Sequence, residues 1–182
     1  REWVESIIVA VILAMFVRTF IVQAFKIPTG SMRTTLLEGD RILVNKFIYG
    51  ARIPLVKIKL PAFREPQRLD VIVFVYPEDE KRDFIKRLIA KAGETVEIKN
   101  GKVFIDGKML DDPIIRKIYY YNRGDYGQEG KKILVPENQY FVLGDNSASS
   151  RDSRYWGFVD KNLLIGKALV IYWPLNRIRL IK

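Results

Sequence analysis

Neither histidine nor cysteine occurs anywhere in the 182 residues. Without cysteine there can be no disulfide, no thiolate nucleophile and no zinc site of the Cys/His kind, although the redox compartment stays open. Without histidine, the imidazole that usually activates a serine hydroxyl is missing as well. Acidic side chains are outnumbered, 21 against 31 basic ones, for a net charge of +10. That excess points to an anionic neighbour, lipid headgroups or nucleic acid. Internal repeats and low-complexity linkers are lacking too. What is present is a chain nearly half hydrophobic and long enough to bury a core, so one folded unit is expected.

The N-terminus is the most apolar part. From Trp3 to Phe25 only Glu5, Arg18 and Gln23 stand out as polar, and Ile7 to Val17 is uninterrupted. That inner run of about 11 residues is short for a transmembrane helix, which needs roughly 20. Arg18, near one end, can extend the span by snorkelling its guanidinium to the interface. A cleaved signal peptide would need an Ala-x-Ala-like site, and Val22-Gln23-Ala24 is a poor one. A buried helix of a soluble domain is the other alternative. We expect an uncleaved membrane anchor over 1–25, which makes lipid the better match for the charge and leaves nucleic acid unneeded. Because the chain opens on Arg1 rather than methionine, further residues are expected ahead of it, and flanking charge does not fix its orientation.

Beyond Met32 the pattern changes to short β-type runs. Arg41 to Val44, Val71 to Tyr76, Gln139 to Leu143 and Leu164 to Trp173 read as strands, the second buried on both faces. Phe84 to Ile89 alternates with period two. Thr95 to Lys99 and Lys102 to Asp106 flank Asn100-Gly101, a two-residue hairpin signal. The fold class is therefore mainly β: an all-β domain of short antiparallel strands preceded by an N-terminal transmembrane helix. Residues 26–106 and 137–182 form its core. The tyrosine- and polar-rich stretch 107–136 is expected as a peripheral insertion.

Two sites carry candidate chemistry. Ile27-Pro28-Thr29-Gly30-Ser31-Met32 presents a serine on a Pro/Gly turn just after the apolar segment. Asp83-Phe84-Ile85-Lys86-Arg87 holds a lysine that a strand would place on one face with Phe84 and Leu88, with Ile85, Arg87 and Ile89 opposite. Apolar neighbours lower a lysine pKa by desolvating the ammonium, and a neutral amine can take a serine proton. Taken singly, each segment also fits a plainer role: a helix-ending turn for Thr29-Gly30-Ser31, an exposed edge-strand lysine for Lys86.

Five blocks in order resemble the type I signal peptidases, Ser/Lys-dyad endopeptidases that remove signal peptides from exported proteins. They are the apolar segment, Pro28 to Leu36, Gly39 to Lys46, Phe84 to Arg87, and Gly144-Asp145-Asn146 through Asp152 to Gly157. The resemblance implies Ser31 as nucleophile and Lys86 as general base, with an oxyanion hole from the Ser31 N–H and the Thr29 hydroxyl. It implies that Ser150 hydrogen-bonds and orients the lysine, and that Asp152 and Arg154 form a pair supporting that loop. Substrate-binding residues would be Phe25, Ile27, Met32, Leu36, Ile42, Val73, Asp83, Phe84 and Ile85, whose bulky walls admit only small side chains at the −1 and −3 positions. The partners implied are preprotein signal peptides and membrane lipid, and no metal or cofactor is called for. The implied location is the bacterial cytoplasmic membrane, with the catalytic domain on its outer side. The chain departs from the family pattern in four places. Thr29 replaces a serine, Thr34 a proline, Ser147-Ala148 an Arg-Asp pair, and Ala90 to Glu94 a Gly-x-Pro-Gly-Asp turn.

Three other readings compete. A pilin-maturing or conjugation-type peptidase would share these blocks. A self-cleaving Ser/Lys regulator would need its Ala-Gly site upstream of the serine, whereas Ala92-Gly93 follows Lys86. A non-catalytic membrane-tethered β module binding anionic lipid would give Ser31 no role.

Overall fold

The strand Val71–Val75, β3, is apolar at every position and almost fully buried, so protein must cover both of its faces. A computed structural model shows how this is done. It describes residues 2–50 and 61–182; Arg1, at the head of the expected anchor, and 51–60, inside the expected core, lie outside the described residues.

A helix, α1 (Glu2–Phe16), continues as a π-helical turn over Val17–Ile21 and leads straight into β1 (Val22–Lys26). β2 (Arg41–Asn45) pairs with β1. After β3 come β4 (Asp83–Lys91), β5 (Thr95–Lys99), β6 (Lys102–Ile105), β7 (Lys108–Met109) and β8 (Ile133–Leu134). The chain ends with β9 (Gln139–Leu143), the short helix α2 (Ser153–Trp156), β10 (Val159–Asp160), β11 (Leu164–Trp173) and β12 (Arg179–Leu180). The larger sheet runs β1-β2-β11-β3-β4-β9-β10, with β12 on β11; the smaller runs β7-β6-β5-β8. All pairings are antiparallel.

Alternation along β3 divides the core. Val71 and Val73 join Ile27, Met32, Leu36, Ile42 and Val44 in one cluster, while Ile72 and Phe74 join Leu88, Val142 and Leu164 in another. A third cluster packs Ile89, Phe141 and Leu143 of the larger sheet against Val96, Ile98, Val103 and Ile105 of the smaller. At about 1.5–3 kcal/mol for each large side chain buried, these contacts are the main favourable contribution to the fold. Asn100 and Gly101 both take positive φ, 50° and 71°, as the expected two-residue hairpin turn requires.

Two expectations need correction. Residues 22–25 are not helical, because pairing with Leu43 to Asn45 and Ile42 draws them into the sheet. Among the described residues no helix is long and apolar enough to cross a membrane. The segment 107–136 is not peripheral in its packing. It supplies β7 and β8 of the smaller sheet, and buries Ile115, Tyr120, Ile133 and Val135 in the third cluster. Its apolar residues are spaced irregularly and follow no period that a sequence reading could detect.

β11 crosses β2 closely at Gly166, where a Cβ would lie 2.3 Å from the Asn45 carbonyl oxygen. The obstacle is backbone and cannot swing away. Gly166→Ala is therefore expected to destabilise the protein by about 3 kcal/mol, as a lowered urea midpoint at unchanged m-value would show.

Candidate active site

The serine sits in a loop closed by main-chain bonds. Ile27 N–H donates to the Asp40 carbonyl (2.8 Å), and Gly39 N–H to the Ile27 carbonyl (2.9 Å). Asp40 is itself held by Arg177, at 2.8 and 2.9 Å. Inside this loop Gly30–Met32 form a single 3₁₀ turn, preceded by Thr29 in extended backbone (φ −136°, ψ 156°). Ser31 is buried, with the apolar side chains of Ile27, Met32 and Leu36 packed into the cluster beneath.

β4 brings the lysine. Lys86 pairs with Ile72 of β3 and is only 3% exposed. Its Nζ lies 2.8 Å from Ser31 Oγ and 3.0 Å from the Ile85 carbonyl oxygen. The Phe84 ring is 5.2 Å from the amine, as expected for neighbours two apart on one strand face. Burial pushes the Lys86 pKa down from 10.5 to about 8; the charges of Asp152 and Asp145 oppose the shift, and that of Arg154 reinforces it.

The third element is the loop after β9. Asn146 donates its main-chain N–H to the Ser31 carbonyl (3.0 Å) and its side-chain amide to the Gly30 carbonyl (2.9 Å). Asp145 accepts both arms of Arg87, at 2.8 and 2.7 Å, and the Thr35 hydroxyl. Asp152 accepts from Gly144 N–H (3.0 Å) and receives Arg154 at 2.8 and 2.9 Å, with both side chains fully buried. Ser147 Oγ accepts from Tyr121 N–H (2.9 Å) and from Arg154 Nη1 (2.8 Å). Arg123 donates to the Ala148 carbonyl (2.7 Å). The segment 107–136 is thus tied directly to this loop.

Gly144 is the point of closest approach. A Cβ there would lie 2.1 Å from Ser150 Oγ and 2.6 Å from the Ser31 carbonyl oxygen, so the absence of a side chain lets the two loops meet. Ser150 is accordingly beside the turn, yet its hydroxyl has no hydrogen-bond partner among the described residues. The expected bond from Ser150 to the lysine is not made, because Nζ turns to Ser31 Oγ and its own strand's Ile85 carbonyl instead. Thr29 is exposed and its hydroxyl makes no capping bond.

The residues expected to bind substrate divide by depth. Ile27, Met32, Leu36, Ile42 and Val73 are core, with Phe25 and Ile85 half-buried against them. Phe84 packs with the opposite cluster, its ring stacked on Tyr76 at 4.1 Å. Asp83 opens β4 and is exposed. The register adds something absent from the sequence: β9 pairs with β4 only from Arg87 onward, whereas β3 pairs with it from Asp83. From Phe84 to Lys86 one edge of β4 therefore has no strand beside it among the described residues. The outer edge of β1 is unpaired in the same way. Asn146, Asp145 and Thr35 were not singled out from sequence, since only contacts across 52 to 116 residues give them a role.

A serine hydroxyl beside a desolvated amine is an arrangement that a hydrolase working without imidazole can use. Comparison with known proteins agrees. The family described as signal peptidase, peptidase S26, matches residues 1–173. A Synechocystis protein named "Probable signal peptidase I-2" is 38% identical over all of this chain and 78% of its own length. The signal peptidase I of Pseudomonas fluorescens is 33% identical over 95% of this chain and 73% of its own length. Among solved structures, a signal peptidase I from Enterococcus faecalis aligns with a TM-score of 0.49 and 34% identity, covering 57% of this chain and 97% of that one. The chain belongs to the signal peptidase family, peptidase S26, and is a serine endopeptidase of that family.

The Arg87–Asp145 pair is 0% and 2% exposed, so losing either partner strands a charge in the interior. Asp145→Ala is expected to cost about 3–5 kcal/mol by urea unfolding. The double variant Arg87→Met with Asp145→Leu should lose less than that, because no charge remains unpaired.

Proposed function

We propose that Ser31 is the acyl nucleophile and Lys86 its general base in the removal of signal peptides from preproteins. The observation that carries this reading is the 2.8 Å contact between Lys86 Nζ and Ser31 Oγ, both buried. Neutral Lys86 takes the hydroxyl proton as Oγ bonds to the scissile carbonyl carbon. The Ser31 N–H and the Thr29 hydroxyl stabilise the resulting oxyanion. The tetrahedral intermediate collapses, the peptide C–N bond breaks, and the Lys86 ammonium returns its proton to the departing amine. A water, deprotonated by the same amine, then hydrolyses the acyl-enzyme ester and restores Ser31.

The unpaired edges beside the dyad support binding by strand addition. A peptide lying along β4 from Phe84 to Lys86, with β1 opposite, makes main-chain bonds and points alternate side chains at Phe25, Ile27, Ile42, Val73 and Ile85. Packed walls with little spare depth favour small residues at −1 and −3. Membrane attachment is supported by α1, where Trp3, Val4, Ile7, Ile8, Val9, Val11, Ile12, Leu13 and Met15 are all more than half exposed. They face every side of the helix, and no described part of the protein covers them. With the π-helical turn the apolar rod reaches Ile21 and places Arg18 near its end, where it can snorkel. This arrangement fits the outer face of the bacterial cytoplasmic membrane, where the cleavage sites of exported proteins emerge. A non-catalytic lipid-binding module, by contrast, offers no reason to bury a lysine against a serine.

The base must be neutral, so activity falls as pH drops below the folded-state pKa. Cleavage of a preprotein should rise with pH through an apparent pKa near 8 and level off above it. A rising limb centred near 10.5 would contradict the assignment of Lys86. Ser31→Ala and Lys86→Ala should each abolish cleavage and labelling by a serine-directed acylating inhibitor; full activity in either variant would overturn the dyad.

A further inference from the structure

A cleft of about 910 Å³ opens beside the serine turn and takes no part in the chemistry above. It is lined by Arg33, Thr34 and Thr35 of the serine loop and by Asp145 to Ala148 of the loop after β9. Lys117, Ile118, Tyr119 and Tyr121, from the segment that sequence alone placed at the periphery, line it as well. None of the residues expected to hold the −1 and −3 side chains lines it. Its link to the dyad is Asn146, which belongs to the cleft and holds the Ser31 and Gly30 carbonyls.

We propose that this cleft binds the mature side of the substrate, the residues following the scissile bond, and that it favours segments carrying acidic side chains. The proposal rests on Ser31 being the nucleophile. A peptide with its signal-side residues along β4 and β1 crosses Ser31 and leaves on the other side of the turn. There the protein's own chain runs through Arg33 to Thr35, and the cleft begins.

The charges match such an occupant. Asp145 is the one acidic side chain among the lining residues, and Arg87 and Thr35 already occupy it. Lys117 and Arg179 meet no carboxylate within salt-bridge distance among the described residues. Arg179 donates instead to the Thr35 carbonyl, at 2.6 Å. Arg33 pairs with Glu38 at the surface, where both side chains are well exposed, so a substrate carboxylate can compete for it. The aromatic wall is preorganised. Tyr119 and Tyr121 are 56% and 43% exposed, and their rings meet edge-on at 5.0 Å. The Tyr119 ring lies so close over Gly101 that a Cβ there would be 2.2 Å from it, and the Arg123 guanidinium sits 5.1 Å from the centre of the Tyr121 ring. Exposed aromatics that are already held in place give contact area at small entropic cost.

The test uses the full chain and three fluorogenic peptides that share one signal-side sequence. One carries glutamates in its mature tail, one carries glutamines at the same places, and one stops directly after the scissile bond. The wild type should show a KM about two- to fivefold lower for the glutamate tail than for the glutamine tail, an advantage that added salt reduces. Lys117→Glu should erase or invert that preference while leaving kcat/KM for the truncated peptide unchanged, and Tyr119→Ala should weaken both long tails alike. Equal KM values for the two tails in the wild type would overturn the proposal, as would a Lys117→Glu loss that is the same for all three peptides. If Lys117→Glu weakens co-sedimentation with phosphatidylglycerol vesicles and leaves tail preference intact, the cleft is a lipid site and the proposal fails. Failure of the wild type to cleave even the truncated peptide overturns the dyad reading, and this inference with it.

Discussion

Asn146 makes two hydrogen bonds to the serine turn, from its main chain to the Ser31 carbonyl and from its side chain to the Gly30 carbonyl, and the geometry of the site depends on them. A 3₁₀ turn of three residues has little stability of its own, so its position must be imposed from outside. The neighbour of Asn146, Asp145, is fixed in turn by Arg87. Arg87 is the residue after Lys86 on the same strand, and its side chain leaves β4 on the opposite face. One dipeptide therefore positions both halves of the proposed dyad: Lys86 supplies the amine, and Arg87 anchors the loop that holds the serine in front of it. A slip of one residue in the β3–β4 register would exchange the two roles and destroy the site.

The same arrangement resolves an electrostatic conflict. A lysine can serve as base only if its ammonium form is disfavoured, and burial does that. Asp145 and Asp152 lie near enough to favour the ammonium again. Each is met by two arms of an arginine, Arg87 for the first and Arg154 for the second, and the charge of Arg154 opposes their pull on the amine. Buried ion pairs of this kind are weak contributors to stability against an apolar alternative. Their presence here is better explained by the lysine, which needs polar loops around it without a net negative field.

Much of the fold was legible because its strands carry their own signals. β3 is apolar throughout and proved buried on both faces; β5 and β6 were marked by Asn100-Gly101, and the alternation of Phe84, Lys86 and Leu88 foretold the surroundings of the amine. What escaped has identifiable causes. β1 was read as the tail of the apolar segment, because Val22-Gln23-Ala24-Phe25 continues it in composition and only pairing with β2 makes it a strand. The two-residue strands β7, β8, β10 and β12 are shorter than any periodicity. The nearness of Ser31 and Lys86, 2.8 Å between Oγ and Nζ, was legible through ordered blocks of sequence, whereas the detailed connections of Ser150 and Asn146 were not, since those are set by how two distant loops meet at Gly144.

Ser147 shows how a departure from a family pattern can be absorbed. Where the family pattern has an Arg-Asp pair, the buried Ser147 hydroxyl here accepts from Tyr121 N–H and from Arg154. Arg154 in turn donates to the Tyr121 carbonyl (2.8 Å), so the brace joins the loop to the 107–136 segment rather than to itself. That segment is itself packed into the core through Ile115 and Tyr120. Tyr121 also lines the cleft, so the residue that accepts from Arg154 on its main chain presents its ring to that cleft, and Arg154 is at the same time the partner of Asp152.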